Sequence, residues 1–92
     1  MERLDDAAIN NAISRLSWQR EGDALVKVVK RKDFAEALAY VNQVGERAEA
    51  RNHHPDIAIS WNTVTLTLFT HTVAGLTQAD VDLAEELDRL DA

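Results

Sequence analysis

From Thr63 to Leu68 the side chains alternate without exception: Thr63, Thr65 and Thr67 are polar, and Val64, Leu66 and Leu68 are apolar. A period of two belongs to a β-strand with one covered face and one open face, and β-branched threonine suits the open, pleated side. The pattern predicts a strand over Thr63 to His71. Such a strand cannot stand alone. The rest of the chain must supply partner strands at its flanks and an apolar layer over its leucine face.

Candidates for both are present. Ile57 to Trp61, joined to the strand at Asn62, reads as a hairpin partner. Upstream, Ser17 to Glu21 and Ala24 to Arg31 flank Gly22-Asp23, a pair that tolerates positive φ and commonly closes a hairpin, and Val26, Val28 and Val29 favour extended chain. Three segments carry the helical period instead. The first spans Asp5 to Leu16, with Ile9, Ala12, Ile13 and Leu16 on one face, Asp5 as N-cap, and Leu4 and Ile9 at the positions of a hydrophobic staple. The longest spans Asp33 to Arg51, where Phe34, Ala37, Leu38, Val41, Val44, Gly45 and Ala48 form an apolar stripe behind an Asp33 cap supported by Glu36. After the break at Gly75, Leu76 and Val81 can form a second staple, and Thr77-Gln78-Ala79-Asp80 is a capping box that opens a last helix through Leu90. The order α-β-β-α-β-β-α predicts an α+β fold, a four-stranded antiparallel sheet with three helices packed on one face, in a single domain over residues 1–92.

Composition narrows the function. At 92 residues the surface buried on folding is modest, so association with further copies of the chain is expected to help. Ten Lys and Arg against sixteen Asp and Glu give a net charge of -6, and the most basic stretch, Lys27 to Lys32, alternates with apolar residues. Direct nucleic-acid binding is therefore not expected. The absence of cysteine excludes disulfides, thiolate metal sites and thiol nucleophiles. Met1 to Asp6 is charged with no apolar stretch behind it, so the sequence predicts neither a secretory signal nor a membrane span, and cytoplasmic residence is the expectation. Gly22, Gly45 and Gly75 are too widely spaced for a phosphate loop, and no Gly-x-Ser-x-Gly elbow occurs.

Histidine remains. All three, His53, His54 and His71, fall within nineteen residues. Pro55 disfavours helical geometry at His54, so the pair is predicted to be extended with its rings diverging. An antiparallel register sets the start of the Ile57 strand beside the end of the strand that finishes at His71, which brings the pair and His71 together. Imidazole, with an ordinary pKa of about 6.5, can both give and take a proton near neutrality. The residues alone leave two other readings open: solvated turn and strand-end side chains, or a zinc site of three histidines and water. Against zinc, adjacent residues point apart and no His-x-His spacing directs two rings to one point.

The run Glu49-Ala50-Arg51-Asn52-His53-His54-Pro55, with Trp61 six residues on, then Thr70-His71 and Asp80, resembles the signature of the pterin-4a-carbinolamine dehydratases. The likeness extends over nearly the whole chain, from Trp18 and the first hairpin through Phe34 and the long helix to Ala74-Gly75-Leu76-Thr77 and the last helix. The resemblance implies a pterin substrate, with His53, His54 and His71 as catalytic residues and Glu49, Pro55, Trp61, Thr70 and Asp80 as substrate-binding or accessory ones. Trp61 stands where that family often has tyrosine, which keeps an aromatic wall and removes a hydroxyl. It further implies loss of water from a 4a-hydroxytetrahydropterin, no metal or cofactor, and a homodimer or homotetramer. An alternative within the same resemblance is a non-catalytic dimerisation or assembly module, since some relatives act as dimerisation cofactors of transcription factors and others look like assembly helpers for carbon-fixing enzymes.

Overall fold

The computed structural model describes residues 2–91. Its elements are α1 (Asp6–Ile13), β1 (Gln19–Glu21), β2 (Ala24–Lys30), α2 (Phe34–Arg51), β3 (Asp56–Ser60), β4 (Thr63–Leu68), a 3₁₀ turn (His71–Val73) and α3 (Gln78–Arg89). The four strands form one antiparallel sheet in the order β1-β2-β4-β3, so the alternating strand lies inside the sheet, between β2 and β3. The predicted element order and the four-stranded antiparallel sheet are those observed.

Each helix starts where its cap residue puts it. The Asp5 carboxylate accepts from the Ala8 N–H at 2.8 Å and that of Asp33 from the Glu36 N–H at 2.9 Å, satisfying donors that a helix N-terminus leaves unpaired. The apolar stripes then meet the leucine face of the sheet. Leu25 and Val29 of β2, with Val64, Leu66 and Leu68 of β4, pack in one cluster with Ile9, Ala37, Tyr40, Val44, Leu83, Ala84 and Leu87 from the helices. The threonine face stays open, and Val28 on the same side of β2 is largely exposed. Lys27 is buried on the helical side, where its ammonium donates to Asp88 at 2.6 Å and also to Asp91. Burial without those carboxylates would cost several kcal/mol, on the order of an unpaired buried charge.

The element ends differ from expectation in four places. Helix α1 stops at Ile13 rather than Leu16, and the Arg15 and Leu16 N–H groups bond three residues back, to Ala12 and Ile13, tightening the exit. The first strand begins at Gln19 and not at Ser17, because Asp88 of α3 takes the Ser17 N–H at 2.9 Å and the Trp18 indole N–H at 3.0 Å. Trp61 belongs to the two-residue turn between β3 and β4 and not to a strand; its φ is 54. The last strand ends at Leu68, so His71 opens a 3₁₀ turn instead of finishing a strand. Thr70 and Gly75 close that turn with reciprocal backbone hydrogen bonds of 2.8 and 3.3 Å, which take Thr70 out of the β4 ladder. Among the described residues, no helix is long and apolar enough to cross a membrane.

Candidate active site

The end of α2 aims the histidine pair. Asn52 terminates the helix in the left-handed conformation at φ 50, a region that asparagine tolerates better than most residues. The His53 N–H reaches back to the Ala48 carbonyl at 3.1 Å and the Asn52 N–H to that of Glu49 at 3.2 Å, the two bonds of a Schellman closure. The chain thus leaves the helix sharply, passes His54 and Pro55, and enters β3 at Asp56, which pairs with Thr67 of β4. Three residues beyond β4's partner position lies Thr70, followed by His71. The two ends therefore meet at one corner of the sheet, as the register argument predicts.

An open cleft of about 380 Å³ lies there. Asn52, His53 and His54 line one side of it, and Phe69, Thr70, His71 and Thr72 the other. The three imidazoles stand in different surroundings. His53 is mostly buried, and its Nε2–H donates to Oδ1 of Asp80 at 2.6 Å. That carboxylate is fully buried, and its second oxygen accepts from the Thr70 hydroxyl at 2.7 Å and the Thr77 N–H at 2.9 Å. Because the Thr70 proton goes to Asp80, the 3.0 Å contact between the Thr70 and Thr77 hydroxyls is donated by Thr77. Every member of this network has a partner, and His53 is held with its Nδ1 left for another group.

His54 is more exposed, and its Nε2–H donates at 2.5 Å to Glu49 at the rim, whose side chain is 79% exposed. His71 is exposed and packs edge-on against the ring of Phe69, with centroids 5.0 Å apart at 80°. Among the described residues, no group of three or more His, Asp or Glu is arranged to hold a metal ion.

Seven of the eight residues singled out in the sequence lie at this corner: His53, His54, His71 and Thr70 line the cleft, Asp80 sits behind His53, Glu49 at the rim and Pro55 at the start of β3. Trp61 does not. It stands at the far tip of the β3–β4 hairpin, 66% exposed, roughly 17 Å of strand from Asp56. Phe69 and Thr77 were missed by the sequence reading. Phe69 breaks the alternation of β4 two residues before His71, and Thr77 was visible only as a helix cap.

A sheet covered on one face by helices, with three imidazoles and a buried carboxylate gathered at one corner, defines a small α+β domain with a histidine-lined cleft. The profile of the family pterin 4 alpha carbinolamine dehydratase matches residues 2–90. A protein of Thermomicrobium roseum that carries this dehydratase name provisionally is 48% identical over 91 residues, covering 98% of each chain. A Cyanothece protein of the same provisional name is 50% identical over 88 residues, covering 95% of this chain and 91% of its own. A crystal structure described as a transcriptional coactivator/pterin dehydratase from Brucella melitensis superposes with a TM-score of 0.93 at 31% identity, covering 99% of this chain and all of that one. A pterin dehydratase-like protein described as a RuBisCO assembly factor of the alpha-carboxysome, 22% identical over 82% of this chain and 87% of its own, shares the fold with a TM-score of 0.65. The chain belongs to the pterin-4-alpha-carbinolamine dehydratase family.

Proposed function

We propose that the cleft binds a 4a-hydroxytetrahydropterin and removes its C4a hydroxyl as water, giving the quinonoid dihydropterin that a cytoplasmic tetrahydrobiopterin recycling route would reduce. The observation that carries this reading is the convergence of three imidazoles on one cleft in a chain of this family. In the reaction the N5 lone pair forms the C4a=N5 bond as the C4a–O bond breaks, the departing oxygen takes a proton, and N5 gives one up. Electrons and atoms balance without an oxidant or reductant.

His54, exposed at the rim, serves as the acid toward the hydroxyl, and His71 across the cleft takes the N5 proton. Each such transfer is typically worth about 10²- to 10⁴-fold. His53, fixed by Asp80, orients the substrate and the proton path. Phe69, braced edge-on by the His71 ring at the wall of the cleft, offers an aromatic contact to the bicyclic pterin.

Turnover of a synthetic 4a-carbinolamine by the purified protein tests the proposal. Dehydration well above the spontaneous rate, undiminished after exhaustive chelation, is the expected result, since proton transfer takes the place of Lewis-acid assistance. A rate equal to the spontaneous one, or loss of activity with a stoichiometric metal, would overturn it.

A further inference from the structure

The loop that carries His71 holds its shape against local preference. Ala74 sits in the left-handed region at φ 51, a conformation that glycine or asparagine adopts far more readily than a residue with a plain Cβ. His71 itself is exposed, in a 3₁₀ turn of three residues. Such backbone strain persists only where the surroundings over-determine it. Thr70 supplies one constraint through its reciprocal bonds to Gly75. The other comes from the N-terminal residues.

The Leu4 N–H donates to the Leu76 carbonyl at 2.7 Å, so the Gly75-Leu76 stretch is bonded to Thr70 through one residue and to Leu4 through the next. Leu4 packs against the hydrophobic core, which anchors that end. Arg3 lies over Gly75 itself. A Cβ at position 75 would stand 2.6 Å from the Arg3 Nε, 3.0 Å from its Cδ and 3.1 Å from its Cζ. Gly75 is not among the residues at positive φ, so the space that Arg3 takes, and not backbone conformation, is what an alanine would violate. Beyond the loop, the guanidinium pairs at 3.2 Å with Asp23 in the turn between β1 and β2. Arg20 also approaches Asp23, at 3.8 Å, while it bridges to Asp6 of α1 at 2.9 Å. The arginine is thus drawn across the loop between two fixed points.

We infer that Arg3 is a positioning residue for His71: with Leu4 and Asp23 it straps residues 70–76 in place, and so fixes where the imidazole stands across the cleft from His54. The catalytic consequence rests on the reading of the cleft as a pterin site, whereas the placement of the ring does not. An exposed ion pair contributes little to global stability, but a loop needs little to be held in one of several positions. Placement matters because a base must come within about 2.6–3.2 Å of the atom whose proton it takes. A loop free to shift by about 1 Å leaves substrate binding near normal and slows the chemical step.

Arg3→Ala, Gly75→Ala and the double variant test the strap. Arg3 is half exposed and Gly75 has a backbone that alanine can adopt, so all three are expected to fold. Arg3→Ala should lower kcat about fivefold with KM near the parental value. Gly75→Ala, which pushes the arginine off the loop, should do the same. The double variant should match either single one, because both remove the same contact and their losses do not multiply. Arg3→Lys, which keeps an alkyl stem over Gly75 and a charge toward Asp23, should recover most of the rate. Histidine-selective NMR supplies a readout of the ring itself. The His71 resonances, set by the edge-on Phe69 ring 5.0 Å away, should move in Arg3→Ala, while those of His53, fixed by Asp80, stay. Unmoved His71 resonances, a parental kcat in Arg3→Ala, or single losses that multiply in the double variant would overturn the inference. The NMR measurement needs no turnover: His71 resonances that move in a protein whose parent dehydrates nothing keep the strap and remove the pterin reading.

Discussion

Replacing His54 or His71 by alanine is expected to lower kcat about tenfold or more while leaving the thermal melt near that of the parent, because both rings are exposed at element ends. The double variant should lose less than the product of the single losses, since groups acting in one proton transfer are not additive. Steady-state kinetics with a synthetic carbinolamine measure both, and near-normal turnover in a folded His54→Ala protein would refute the assignment. The histidines were legible in the sequence because the two places they occupy, the exit of α2 and the residues after β4, are joined by strand register. Trp61, singled out through the resemblance, lies away from the cleft within this chain. Sequence spacing set it six residues from Pro55, but extended chain turns six residues into distance, and the hairpin carries it to the opposite end. Phe69 escaped notice because an aromatic at the close of a strand is ordinarily core, and only the 3₁₀ turn at His71 brings the two rings into contact.

Elements whose limits are set by local chemistry were read closely, and those set by tertiary contacts were not. Asp5 and Asp33 cap where they were expected to, because a cap bonds within three residues of itself. The entry to β1 depends on Asp88 of α3, the end of β4 on the Thr70–Gly75 bonds and the exit of α1 on a tightened last turn at Arg15 and Leu16, none of which periodicity encodes. Asp80 spans both regimes: as N3 of α3 it closes the Thr77 N–H, and from the same buried carboxylate it fixes His53 and Thr70. Asp80→Asn keeps the shape but replaces one accepting oxygen with an NH₂ that cannot accept. It is expected to cost about 1–3 kcal/mol in chemical denaturation, with kcat also reduced as His53 loses its anchor. Equal stability of variant and parent would show that the carboxylate is not needed to start the helix.

Across the whole molecule, stability should fall at both ends of the pH range for identifiable reasons. On the acid side, the hydrogen bond from Arg51 holds Glu86 below the usual carboxylate range, with Arg47 adding to it, so α2 and α3 are clamped by a carboxylate that is ionised in the fold. A depressed pKa contributes stability that is present above the unfolded value of about 4.3 and lost as pH falls through the folded one. The advantage of the parent over Glu86→Gln should therefore shrink in thermal melts below about pH 4. On the alkaline side, burial pushes the Tyr40 hydroxyl up to about 12, and the nearby Asp91 carboxylate opposes its ionisation further. The ring lies in the core with the Arg31 guanidinium 4.5 Å from its centre, and its oxygen has no hydrogen-bond partner among the described residues. A raised pKa means that the folded state keeps its proton while the unfolded tyrosine, near 10, loses it. Stability is fully present below about pH 10 and declines as pH rises toward the folded value, by on the order of 3 kcal/mol over the whole interval. Tyr40→Phe removes both the unpaired hydroxyl and the titration. It should be about 1 kcal/mol more stable than the parent at neutral pH, and that gain should widen above about pH 10. Urea titrations of the two proteins at pH 7, 9 and 10.5 measure the difference directly, and a gap that stays constant, or favours tyrosine, would mean that the hydroxyl is solvated or paired in the folded protein.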